Sequence, residues 1–115
     1  MSQAKEFMLL FRFDATQNYQ PTEAELAEQH QQWGQFIGHI AIQEKLVSTY
    51  QLGFTGKLVA TDKTTTDGIY MAQNEALGGN MVIKANSIEE AAEMAKNCPI
   101  LAMGGHVEVR EILPM

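Results

Sequence analysis

The groups in this chain able to move a proton or attack a carbon are three histidines, a set of carboxylates and a single thiol. One histidine stands out by its spacing. Leu26, His30, Trp33, Ile37 and Ile40 recur at intervals of four, three, four and three, which at about 3.6 residues per turn aligns all five on one helical stripe. His30 is therefore expected on a buried helix face, and two readings of it stand side by side. It is either a core-edge histidine packed beside Trp33 with one ring nitrogen bonded to backbone, or a titratable group at the floor of a pocket between helix and sheet, suited to proton transfer. Asp67 is the carboxylate that would partner it. His30 and Asp67 are thus the candidate catalytic pair, with Trp33, Gly68, Glu75 and Arg12 as candidate ligand-binding residues.

Each of the other reactive groups also has a plainer role. Glu75 is a solvated loop residue or orders the pocket rim by hydrogen bonding. Arg12 points to solvent or to an interface ion pair, or is a pocket cation, and Asp14 beside it suits a strand-ending turn. Cys98 has no basic neighbour in sequence and no helix N-terminus to activate it, so a small buried hydrophobe is expected. His39 falls opposite the stripe, at the surface, and His106 opens a strand as a surface or pocket-mouth residue. There is no phosphate-binding glycine loop, no nucleophile elbow and no metal-ligand spacing, and neither a metal nor a cofactor is expected.

Six elements must position these residues. Glu6 to Phe13 is an apolar run that reads as a strand buried on much of both faces. Pro21-Thr22-Glu23-Ala24-Glu25 starts a helix that should run to about Lys45, with acidic residues in the first turn where the macrodipole favours them. Gly34 and Gly38 beside the stripe suggest close approach of another backbone. Leu46 to Leu52 and Lys57 to Thr61 read as a hairpin about Gly53-Phe54-Thr55-Gly56, with Phe54 a lid aromatic or a core plug. Asp67-Gly68 marks a turn, Ile69 to Leu77 a loop, and Gly78-Gly79 the approach to a strand over Asn80 to Lys84. Ser87 to Glu90 forms a capping box for a short helix ending before Pro99, and His106 to Leu113 alternates as a strand with one wet face.

The signature Asp67-Gly68, Glu75, Gly78-Gly79 resembles that of the YCII-related (DGPF) family of small bacterial proteins. The opening Phe7-Met8-Leu9-Leu10, the Cys98-Pro99 step and the closing Val107-Glu108-Val109-Arg110 extend the resemblance over nearly the whole chain. Ile69, Tyr70 and Asn80 depart from the family's Pro, Phe and aromatic residue. The resemblance implies a dimeric α+β barrel, whose relatives include isomerases, dehalogenases and small monooxygenases. Some family members carry a His-Asp pair suspected of catalysis, but the family's helix histidine aligns close to Trp33, and His30 rests on its periodicity alone.

The element order is that of an α+β, ferredoxin-like sandwich: an antiparallel sheet with helices on one face. At 115 residues one YCII-related domain spanning 1–115 is expected, near the size at which a sheet face needs a partner to cover it, hence a homodimer.

 The formal charge of −6 without a Lys/Arg cluster excludes nucleic acid and anionic membrane as partners, leaving a small-molecule ligand. With a polar start and no apolar run near the roughly 18 residues of a membrane span, the cytoplasm is the expected location.

Overall fold

A computed structural model describes residues 4–14, 22–53 and 55–114. Five strands make the main sheet: four run in the order β2 (Leu46–Gln51), β6 (Glu75–Ala85), β1 (Lys5–Asp14), β7 (His106–Glu111), and the short β5 (Met71–Ala72) pairs with β6 off this path, all neighbours antiparallel. Helices α1 (Glu23–Ile42) and α2 (Ile88–Ala95) connect β1 to β2 and β6 to β7. This is the expected ferredoxin-like α+β arrangement, with both helices on one face. The central pair β1 and β6 shows why. Phe7, Leu9 and Phe11 alternate on β1 with half-buried Met8, Leu10 and Arg12, and on β6 Gly79, Met81, Ile83 and Ala85 alternate likewise. The fully buried set packs against Phe36 and Ile40 of α1, Ala91 and Ala95 of α2, Cys98 and Ile100. Trp33 joins it edge-on, 5.2 Å from Phe11 and 6.0 Å from Phe36 between ring centroids.

Local chemistry sets the element ends. Thr22 caps α1, accepting from the Glu25 amide while the Glu25 carboxylate accepts from the Thr22 amide, a reciprocal box that the sequence reading did not assign. The helix ends at Ile42, earlier than Lys45, and Glu44 takes a positive φ of 59° in the turn that follows. At α2 the Ser87 hydroxyl accepts from the Glu90 amide as expected, but the Glu90 carboxylate turns to Lys45 and to Asn86. Those bonds, the Lys45 ammonium foremost, hold Glu90 below the usual carboxylate range.

Several expectations are corrected. β2 does not form a hairpin with the next strand; it pairs with β6, while β3 (Lys57–Val59) and β4 (Thr65–Asp67) form a separate two-stranded arm. The segment read as a loop before Gly78 contains β5 (Met71–Ala72) and the start of β6, joined by Gln73 and Asn74 at φ of 53° and 68°. Two successive left-handed residues are the geometry of a type I′ hairpin turn. Gly78-Gly79 therefore lies inside a strand, where Gly78 is an extra residue between the Phe11–Gly79 and Arg12–Leu77 pairs. A Cβ on Gly79 would stand 2.7 Å from the Tyr50 carbonyl, so β2 can approach only a glycine there. Gly34 and Gly38, by contrast, have no atom from beyond their own helix turns near where a Cβ would be among the described residues, so no described backbone explains them. The lid or plug role considered for Phe54 lies outside the described residues.

Ile83 is fully buried. Its replacement by Ala is expected to lower the unfolding free energy in urea by about 2–5 kcal/mol. Val59→Ala on the exposed arm should change it by no more than about 0.5 kcal/mol.

Candidate functional site

The helical stripe that singled out His30 reaches the sheet only from Trp33 onward. Leu26 and His30 are both exposed on the first turns of α1, which extend past the packed layer, so the expected burial of His30 is not found. Asp67 ends β4 with its side chain 87% exposed and accepts a hydrogen bond from Lys57 Nζ at 2.5 Å. Gly68 follows at φ 115°, as the Asp-Gly turn predicts, and its amide donates to the Gly56 carbonyl. No hydrogen bond or ion pair joins His30 to Asp67 among the described residues. Trp33 serves the core, wedged between Phe11 and Phe36.

The other two candidates meet elsewhere, at one end of the sheet. Register on β1 places Arg12 opposite both Leu77 of β6 and His106 of β7, and Asp14 opposite Glu75. Strand alternation directs Arg12, Glu75 and His106 to the face without helices. There the Glu75 carboxylate bonds His106 Nδ1 across β1. The flanking strands lie about 10 Å apart, so both side chains reach over the central strand to meet. Only 21% of the Glu75 side chain is exposed, whereas 72% of the His106 side chain is. The histidine is thus anchored at Nδ1 and open at the rest of its ring. Because a carboxylate only accepts, this contact puts a hydrogen on Nδ1, so that in the neutral ring the lone pair belongs to Nε2. The strand start is fixed from behind: a Cβ on Gly105 would collide with the Arg12 carbonyl and the Ile100 side chain.

Arg12 is ion-paired within the chain. Its Nη2 donates to Glu108 Oε1 at 3.2 Å, and Arg110 Nη1 donates to the other oxygen of the same carboxylate at 3.3 Å. The Arg12 bond first and the Arg110 bond after it hold the Glu108 carboxyl below the usual range. Arg12 bonds no other described residue, and its side chain remains about one-third exposed. No group of three His, Cys, Asp or Glu side chains among the described residues is arranged to hold a metal.

Sequence reasoning left His106 between surface and pocket mouth and did not join it to Glu75, 31 residues away. No local motif could have done so. The contact depends on β1 pairing with β6 and β7 at once. The model of the YCII-related domain matches residues 6–115. The chain belongs to the YCII-related family. No curated protein matches it. No helix among the described residues of this YCII-related chain is long and apolar enough to cross a membrane.

Cys98 is buried, as expected, beneath the turn that links α2 to a 3₁₀ segment, Pro99–Leu101. Burial pushes its thiol up to about 11 from an ordinary 9.0. A proton held more tightly in the folded state stabilises that state fully below the unfolded pKa and ceases to do so as pH rises through the folded one. Stability should accordingly decline between pH 9 and about 11 in wild type and be flatter in Cys98→Ala, read from urea midpoints. Iodoacetamide should label the native thiol slowly at pH 8 and the urea-unfolded chain rapidly.

Proposed function

We propose that this YCII-related protein is a homodimer of the dimeric α+β barrel type that binds a small molecule at the sheet end beside Arg12 and Glu75, where it carries out acid–base chemistry without a cofactor. The observation carrying this reading is that a cation and a carboxylate-anchored histidine stand together on a sheet face that no helix among the described residues covers. That face also presents Met8, Leu10, Leu77 and Val82, all half-buried, in the middle of the sheet. The chain is only 20 Å across its thinnest dimension, the thickness of one sheet and one helix layer. A second sheet laid on the apolar centre would remove it from water, and would convert the polar end from a rim into a pocket wall. The Asp67-Gly68 turn leads into the β5–β6 hairpin and so to Glu75, which relates the family signature to this site.

A second reading, a non-catalytic dimeric binding or regulatory protein, is supported by the arm. Leu58, Val59, Tyr70 and Met71 are large apolar residues exposed on or next to it, a surface suited to a protein partner.

Sedimentation equilibrium should give a mass twice the 12.8 kDa of one chain. Leu10→Glu, which places a charge on the open face, is expected to yield the monomer with the helical circular dichroism retained. A monomeric wild type at micromolar concentration would sink the dimer.

A further inference from the structure

We propose that His106 is the proton-transferring base of the sheet-end site, that Glu75 positions it, and that Arg12 receives the carboxylate of a small 2-oxo acid or related substrate with an acidic C–H beside its carbonyl. This deepens the small-molecule reading above and rests on it.

Three features combine. Glu75 holds Nδ1, so the basic nitrogen is Nε2, on a ring whose orientation is set by a largely buried carboxylate. Arg12 lies directly opposite His106 on the adjacent strand and on the same sheet face. Opposed residues of an antiparallel pair have Cβ atoms about 4.5–5.5 Å apart. From strand positions this close, one small molecule can touch both side chains. Finally, Arg12 bonds Glu108 through Nη2 alone among the described residues. The rest of its fork of donors remains for a carboxylate, the geometry guanidinium recognises best.

The step is balanced within the site. The substrate C–H bond breaks as its hydrogen passes to Nε2 as a proton, and the electron pair moves into the adjacent carbonyl to give an enolate. Arg12 neutralises the neighbouring carboxylate, and Glu75 stabilises the imidazolium through Nδ1. Return of the proton to the same or a conjugated carbon regenerates neutral His106, so the net result is hydrogen exchange or isomerisation with no co-reactant.

Pyruvate is the minimal probe, since it carries a carboxylate and a methyl group on either side of one carbonyl. In D2O, the intact protein should exchange the pyruvate methyl hydrogens, followed by proton NMR, faster than an equal concentration of free imidazole. His106→Gln should lower that rate at least tenfold, and added imidazole should partly restore it in His106→Ala; both substitutions fall on an exposed side chain. Arg12→Gln should raise KM for pyruvate more than it lowers kcat. Glu75→Gln should lower kcat and move the His106 nitrogen-15 signals from the Nδ1–H towards the Nε2–H tautomer, a change that loss of a merely structural contact elsewhere would not produce. If pyruvate perturbs the amide signals of Arg12 and His106 but exchange is absent, or unchanged in His106→Gln, the base assignment fails while the binding reading stands. If pyruvate neither perturbs those signals nor exchanges, the inference fails and the binding reading loses its support at this end of the sheet.

Discussion

The antiparallel pairing of β1 with β6 is the constraint on which the rest of this protein depends. Phe7, Leu9 and Phe11 face Ile83, Met81 and Gly79 across that pair. Together they make the floor on which both helices rest. Hydrophobic burial here is non-directional, but the register is not, because a slip of one residue would exchange the buried and open sets on either strand. The same register that builds the core therefore determines which polar side chains stand on the far face. Fold and site are two sides of one pairing.

Much of this was legible in the sequence. The apolar run from Phe7 to Phe13 indicated a central strand, the Ser87 cap and the Pro99 break bounded the second helix, and the closing alternation indicated β7. These signals are local, and local propensity agrees with the tertiary result. What failed was non-local or chemically unmarked. Gln73-Asn74 is an unusual pair for a two-residue hairpin, so β5 and the first half of β6 were hidden behind a helical-looking composition. The arm was mistaken for a hairpin with β2 because sequence neighbours are the default partners, and β6 displaced it by offering a longer strand with a buried face.

The site divides along the same line. Periodicity identified the helix face correctly from Trp33 to Ile40, yet it contains no information about where the sheet beneath ends. His30 shares the angular position of buried residues but lies beyond the layer that would bury it. Arg12 was visible as the one charge in an apolar run, and Glu75 as a carboxylate of the signature stretch. His106 was not, because its significance comes from a carboxylate two strands away.

Gly78 gives the polar end an arithmetic character. On either side of this extra residue the strand has opposite parity, so Leu77 and Glu75 share the open face only because one position is skipped. Pairing Gly78 as an ordinary strand residue instead of skipping it would turn Glu75 inward and Ala76 outward without altering a single reactive side chain. For reading other sequences of this kind, whether the first of the two glycines is skipped or paired therefore carries as much meaning as the glutamate itself. A chain that paired this glycine would keep the letters of the site and lose its geometry, whereas one that lacked it would need no bulge to keep both.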